Sequence, residues 1–113
     1  MSKPWNLHEA QQAVHAWISQ WEEGYFSPLS NLARLTEELG ELARVVNHLH
    51  GDKPPKTGER ESQHQLLEEE IGDLLFVLIT LSNSLDVDLD QALRKVLEKY
   101  EIRDKDRFTR KED

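Results

Sequence analysis

Two clusters of acidic side chains are the residues in this chain best suited to chemistry. The first cluster is Glu37-Glu38-Leu39-Gly40-Glu41, and the second is Glu68-Glu69-Glu70-Ile71-Gly72-Asp73. Each cluster contains acids three residues apart, a spacing that puts side chains on neighbouring positions of a helix surface. Acids at this spacing are common on solvated helices, so their position relative to the apolar residues decides their meaning.

The acids are interleaved with apolar residues and do not lie opposite them. A helix turns by about 100° per residue, which places Val45 between Glu38 and Glu41, and the acids of the second cluster are flanked in the same way. Two such helices packed antiparallel would bring four carboxylates to the edge of a core, where like charges raise one another's pKa. A divalent cation would relieve this repulsion. Oxygen ligands without cysteine favour Mg²⁺ or Mn²⁺, and Mg²⁺ is commonly shared with substrate phosphates.

The elements that carry these clusters are predicted to be helices, and the fold class is all-α. The predicted helices cover 7–23, about 30–50, about 64–85 and, after an Asp88 cap, 89–100, with Gly24 and Gly51 ending the first two. Residues 52–63 contain Pro54-Pro55 and Gly58 and predict an exposed, mobile loop. Residues 102–113 form a charged tail, and the whole chain, 1–113, is predicted to be one domain.

Apolar spacing predicts that the helices bury more than one small unit can cover. In the second helix, apolar residues recur at alternating intervals of three and four, the pattern of a face that packs on partner helices. These residues are Leu32, Leu35, Leu39, Leu42, Val46 and Leu49. The third helix contains six consecutive apolar residues, Leu74–Ile79, which need cover on all sides. We therefore expect a homo-oligomeric helical bundle.

Composition excludes several classes of protein. The chain has 14 basic and 22 acidic residues, a net charge of −8, and no cysteine. Residues 1–93 hold 6 basic and 16 acidic residues and 94–113 hold 8 and 6, giving −10 and +2. An acidic body argues against a nucleic-acid polymer as partner. No apolar run spans a bilayer and no secretory signal is evident, so neither membrane partner nor export is expected. A reducing, cytoplasmic location fits the lack of cysteine.

The two-part acidic motif resembles that of the MazG-like, all-α nucleoside triphosphate pyrophosphohydrolases. Glu-Glu-x-x-Glu on one helix, 28 residues between Glu41 and Glu70, and Glu-x-x-Asp on the next carry the resemblance, which extends over roughly residues 15–111. The whole is similar to short, single-domain members of the YpjD type. The resemblance implies a four-helix unit that forms homodimers or homotetramers and hydrolyses an NTP or dNTP to monophosphate and pyrophosphate. It further implies Mg²⁺ bound by Glu38, Glu41, Glu70 and Asp73, with nucleotide-pool house-cleaning as the cellular role.

Further residues are assigned roles as expectations. With Glu38 and Glu41, Glu37 belongs to the predicted catalytic set; it either binds a second cation or orients the attacking water, or it is simply solvated. The residues predicted to contact substrate are Phe26, Arg34, Lys99, Arg103, Lys105 and Arg107. Basic side chains suit phosphate oxygens, although a solvated helix end is an equally plain interpretation of the basic tail. Trp21 and Tyr25 could stack on a base, with a core role favoured for Trp21.

Two other functions remain open at this point. Glu61 and His64 form one Glu-x-x-His pair, whereas a carboxylate-bridged di-iron bundle uses two such pairs. The other alternative is a non-enzymatic helical assembly or partner-binding module with purely superficial acids. It predicts no stabilisation by metal ions.

Overall fold

A computed structural model describes residues 3–52 and 59–111. This part of the chain forms four α-helices, α1 (Leu7–Ser19), α2 (Pro28–His50), α3 (Glu59–Ser84) and α4 (Leu89–Arg103), and contains no strand. The all-α prediction is confirmed. Among the described residues, no helix is long and apolar enough to cross a membrane.

Helix α1 begins as a capped helix and ends earlier than expected. Asn6 Oδ1 accepts a hydrogen bond from the Glu9 N–H at 2.7 Å, and the Glu9 carboxylate accepts one from the Asn6 N–H at 3.1 Å. The helix was predicted to run to residue 23 but ends at Ser19. The next residues form a turn that closes at Gly24, whose φ of +59° lies in the left-handed region that glycine adopts readily. The prediction that Gly24 ends the first helix is wrong, because Gln20 is the C-cap of α1 and Gly24 closes the turn that follows.

Helices α2 and α3 both begin earlier than predicted. Ser27 caps α2, its hydroxyl oxygen accepting from the Ser30 N–H at 3.2 Å, and Pro28 occupies the first turn, where a missing N–H costs nothing. The end of α2 at Gly51 is as predicted. Helix α3 starts at Glu59, so 59–63 are helical and not part of the predicted mobile loop. The other residues predicted for that loop, 53–58, lie outside the described residues.

Helix α1 is fastened to the turn between α3 and α4 by two side-chain amides. Gln11 Nε2 donates to Asn83 Oδ1 and to the Val87 carbonyl, both at 2.9 Å, and Gln11 Oε1 accepts from the Leu89 N–H at the start of α4. Asn83 Nδ2 donates to the Gln11 carbonyl at 3.0 Å and to the Tyr25 hydroxyl at 3.2 Å. These bonds join residues 58 to 78 positions apart in the chain.

The most extensive packing is between α2 and α3, which run antiparallel, as expected of helices joined by a short connection. Val45 of α2 and Val77 and Ile79 of α3 are almost completely buried. Within one chain, residues 74–79 are not covered on all sides, because Leu75 and Leu78 are 48% and 40% exposed. The core lies mainly between these two helices, with Ile18 of α1 added to it, and does not surround α3.

Six exposed apolar side chains of α2 and α3 form one surface, here called the apolar seam. It consists of Leu32, Leu39 and Val46 of α2 with Ile71, Leu75 and Leu78 of α3, all of them exposed. A rotation of about 100° per residue puts both sets on the same side of the antiparallel pair. The α2 stripe is therefore divided: Leu49 is buried against the chain itself, while the other edge of the stripe faces outward.

Candidate active site

Three of the predicted carboxylates meet at the contact between α2 and α3. One oxygen each from Glu38, Glu70 and Asp73 lies within 4.8 Å of the others. Glu38 is on the same face of α2 as the buried Val45 and Leu49, and it is half-buried itself. The antiparallel pairing of the helices thus brings the two acidic motifs to the same level.

Glu70 bears the electrostatic strain of this arrangement. Its Oε2 atom is buried and has no hydrogen-bond partner in the part of the chain that the structure describes. Burial of the carboxyl group raises the pKa of Glu70, the negative charges of Glu41, Asp73 and Glu38 raise it further, and Arg44 opposes them. A buried carboxylate without a partner is costly, and a cation would satisfy the orphaned oxygen and offset the clustered charges. The residues present therefore fit a divalent metal ion, and all-oxygen donors suit Mg²⁺.

Glu41 and Glu37 do not join the three-carboxylate cluster. Glu41 is exposed and pairs with Arg44 at 3.4 Å, although its charge still acts on Glu70. Glu37 is exposed on the solvent side of α2. Of the four predicted metal ligands, the structure brings together three and leaves Glu41 at the edge.

A cavity of about 250 Å³ lies between α1, the turn that follows it, α2 and α3. It is lined mainly by aromatic side chains, together with a few polar ones: Trp17, Ile18, Trp21, Glu23, Gly24, Tyr25, Phe26, Asn31, Arg34, Phe76 and Thr80. Arg34 lies one turn before Glu38, and Phe76 lies one turn after Asp73. The Arg34 guanidinium sits 5.9 Å from the centre of the Phe76 ring. The cavity and the carboxylates therefore share the same two helices, one turn apart.

Two of the predicted substrate-contacting residues, Phe26 and Arg34, line this cavity. Trp21 does so as well and is 53% exposed, so the prediction of a core role for Trp21 is wrong. The turn after α1 holds this side chain away from the helix packing. The hydroxyl of Tyr25 lies 2.9 Å from His15 Nδ1 and accepts a hydrogen bond from Asn83 Nδ2, and these two contacts hold the Tyr25 side chain in place.

The predicted basic residues of α4 and the tail are engaged with their own neighbours. Arg103 and Arg107 both pair with Asp104, at 3.0 and 3.4 Å. Lys99 lies 5.3 Å from the Tyr100 ring centre, and Lys105 is exposed. None of these residues lines the aromatic cavity, and Arg44 is the cation that acts on Glu70. Contact of these four residues with phosphate therefore stays a prediction, because within one chain none of them lines the cavity.

Several cavity residues were missed by the sequence analysis. Asn31 opens the predicted second helix and Trp17 lies within the predicted first one, and neither was assigned to a site. Phe76 and Thr80 lie in or beside the apolar run of α3, where Thr80 was the only polar interruption. A polar residue next to a long apolar run was the sequence signal that could have pointed to Thr80. For the Glu61 and His64 pair, the side chain of Glu61 lies outside the described residues.

Comparison with known proteins gives a consistent result. Residues 26–108 match the model of the MazG nucleotide pyrophosphohydrolase domain. The YpjD protein of Bacillus subtilis (strain 168) is 55% identical over 107 residues, which cover 95% of this chain and 94% of that protein. The crystal structure of YpjD from Bacillus subtilis matches with a TM-score of 0.77 and 52% identity, covering 88% and 98% of the two chains. That of a Bacillus-conserved MazG protein, a nucleotide pyrophosphohydrolase, matches with a TM-score of 0.76 and 46% identity, covering 93% and 99%.

Proposed function

Since the chain belongs to the MazG nucleotide pyrophosphohydrolase family, we propose that it hydrolyses a nucleoside or deoxynucleoside triphosphate to the monophosphate and pyrophosphate in a Mg²⁺-dependent reaction. The observation that carries this proposal is the orphaned, buried oxygen of Glu70 inside a cluster of three carboxylates. In a superficial acidic patch every carboxylate oxygen would be hydrated, whereas the buried oxygen of Glu70 needs a ligand.

The chain's own residues divide the work between them. Glu38, Glu70 and Asp73 would hold the cation, which when bound supplies positive charge to phosphate oxygens and activates water. Glu41 acts on Glu70 through its charge, and its exposed carboxylate, which pairs with Arg44 through one oxygen, would accept a hydrogen bond from the attacking water through the other. Glu37 adds negative charge on the solvent side. Arg34, one turn along α2, is placed to contact a phosphate or the sugar beside it.

The aromatic cavity would take the nucleoside part of the substrate. Its rings offer stacking surfaces, and stacking of bases on aromatic side chains is largely independent of base identity. Glu38 and Asp73 lie one helical turn from the lining residues Arg34 and Phe76, so the phosphates of a nucleotide in this cavity would be directed towards the carboxylates.

We further propose that the working form is a homodimer or homotetramer in which a second copy covers the apolar seam. The 13.2 kDa chain exposes 9637 Å², whereas a compact monomer of this mass exposes about 6400 Å². Its radius of gyration is 18.1 Å, against about 13 Å for a compact chain of this length. An isolated four-helix unit with so much apolar surface is incomplete.

Product analysis tests the reaction. A dNTP is incubated with the protein and Mg²⁺, and the products are separated by anion exchange. We expect monophosphate and pyrophosphate from the wild type and none from Glu70→Gln, whereas Glu69→Gln, the same change at an exposed neighbour, should retain activity. Orthophosphate with a diphosphate would overturn the proposed reaction. Equal activity in the two variants would overturn the site.

A further inference from the structure

Asn31 is a buried polar side chain of the aromatic cavity that the proposed reaction does not use. It lies in the first turn of α2 and is only 3% exposed, although it lines the cavity. Its Nδ2 donates to the Phe26 carbonyl at 3.3 Å. That bond fixes which way the amide faces. A buried polar group is costly unless its hydrogen-bonding capacity is used.

The carbonyl oxygen of this amide is left without a protein partner. No described residue donates a hydrogen bond to Asn31 Oδ1. Glu70 Oε2 is the fully buried side-chain oxygen without a hydrogen-bond partner in the described chain, so Asn31 Oδ1 keeps some exposed surface, and Asn31 lines the cavity. The amide also keeps one N–H beyond the one bound to Phe26. Thr80, the other buried polar residue of the cavity, already donates its hydroxyl hydrogen bond to the Phe76 carbonyl at 2.8 Å.

We propose that Asn31 is a specificity-determining residue that reads the edge of the substrate's nucleobase. Its Oδ1 accepts a hydrogen bond from a ring N–H or amino group, and its free N–H donates to the adjacent ring nitrogen or carbonyl. Neighbouring donor and acceptor atoms of this kind are what side-chain amides recognise on bases. The ligand class is therefore an aromatic heterocycle with an unblocked N–H beside an acceptor, attached to a phosphate chain.

The placement of Asn31 relative to the carboxylates supports this assignment. Asn31 precedes Glu38 by seven residues, two turns and about 10 Å along the helix axis. On the antiparallel α3, Thr80 follows Asp73 by the same seven residues. A base beside Asn31 and phosphates beside the carboxylates would thus lie along one groove between the helices. This inference rests on the proposed function for the phosphate end of the groove, but not for the base end.

The test measures binding of a nucleoside alone, without Mg²⁺ or phosphate. Trp17 and Trp21 line the cavity, so tryptophan fluorescence reports occupancy directly. We expect nucleosides to bind the wild type, and Asn31→Leu to weaken that binding about tenfold, the effect of one or two lost hydrogen bonds. Affinity for Mg²⁺-pyrophosphate, measured by calorimetry, should not change. Asn47→Leu, at an exposed asparagine of the same helix, is the matched control and should change neither affinity.

A second measurement needs no variant and so survives any folding defect. Nucleosides methylated on the ring N–H should bind the wild type about tenfold more weakly than their parents. Equal binding of methylated and parent nucleosides, equal binding in Asn31→Leu and wild type, or no nucleoside binding by the wild type would overturn the inference. Loss of both nucleoside and pyrophosphate binding in Asn31→Leu would also overturn it, because that pattern marks a structural residue. Nucleoside binding without pyrophosphate release would instead overturn the proposed function and leave Asn31 as the reader of the base.

Discussion

Charging the apolar seam should separate the copies of this protein. We consider Leu39→Lys in α2 and Leu75→Lys in α3, whose side chains are 56% and 48% exposed in the single chain. Complete burial of a leucine is worth about 1.5 to 3 kcal/mol, so covering the exposed half of one contributes roughly 1 to 1.5 kcal/mol. A two-fold interface contains each position twice. One substitution therefore removes about 2 to 3 kcal/mol per dimer, before any cost of burying the lysine charge.

This loss corresponds to a roughly 30- to 150-fold weaker dimer, which sedimentation or light scattering detects as a shift of the dissociation midpoint. The area available is ample: the excess exposure is about 3200 Å² per chain, and permanent homodimers bury roughly 2000 to 5000 Å² in total. We expect the wild type at twice or four times the 13.2 kDa of one chain. Trp5→Lys, at an exposed aromatic outside the seam, should leave the mass unchanged.

A monomeric wild type at micromolar concentration, with a radius of gyration in small-angle scattering close to the value of a compact chain, would refute the reasoning. It would mean that the chain closes its own seam, and that the division of the α2 stripe into a buried and an exposed edge has another cause. Dissociation by Trp5→Lys but not by Leu75→Lys would refute the location of the interface.

Three further predictions concern the site and the core. Saturating Mg²⁺ should raise the melting temperature of the wild type and of Glu69→Gln but not of Glu70→Gln, since a ligand at about 100 times its Kd stabilises the native state by about 2.7 kcal/mol; an equal response in all three would contradict the site. Without metal, burial and neighbouring acids hold the pKa of Glu70 above its ordinary value of 4.5, so the folded state binds this proton more tightly than the unfolded chain. The contribution of Glu70 protonation to the free energy of unfolding is therefore greatest at low pH and is lost as pH rises through the raised pKa. Urea unfolding at several pH values should show that Glu70→Gln becomes more stable relative to the wild type towards neutral pH. Val77→Ala should cost about 2 kcal/mol in urea unfolding, because Val77 is fully buried; an unchanged midpoint would mean that the helix contact repacks.

The sequence predicted the helices well where a local signal defined them. Gly51 ends α2 and Asp88 caps α4 as expected, since both act through their own backbone or side chain. The start of α2 was misplaced because Ser27 and Pro28 form an equally good cap three residues earlier. Tertiary contacts were predicted less well. Whether an apolar residue such as Leu39 faces its own chain or another depends on the direction from which α3 approaches, which no local pattern contains.

The candidate site was predictable to the same extent and for the same reason. Spacing placed Glu38, Glu70 and Asp73 on faces that turn towards each other, and the structure brings them within 4.8 Å. It could not show that Glu41 turns to Arg44, because that choice is made by a rotamer. Nor could it show that Asn31 is buried, since an asparagine at a helix start is usually explained as a cap.

The cost of the carboxylate cluster is the strongest argument that it is kept for a ligand. Apolar residues at Glu38 and Glu70 would complete the contact around Val45 and Val77, and they would remove both the orphaned oxygen and the mutual repulsion. Instead the helix pair holds a buried acceptor, Glu70 Oε2, that has no partner among the described residues, and the pKa of this acid is raised by burial and by its acidic neighbours. Departures from local consistency of this kind are expected at functional sites. Asn31, on the same helix as Glu38, is a second buried polar side chain and lines the cavity. One nucleotide bound as proposed would meet the carboxylates with its phosphates and Asn31 with its base.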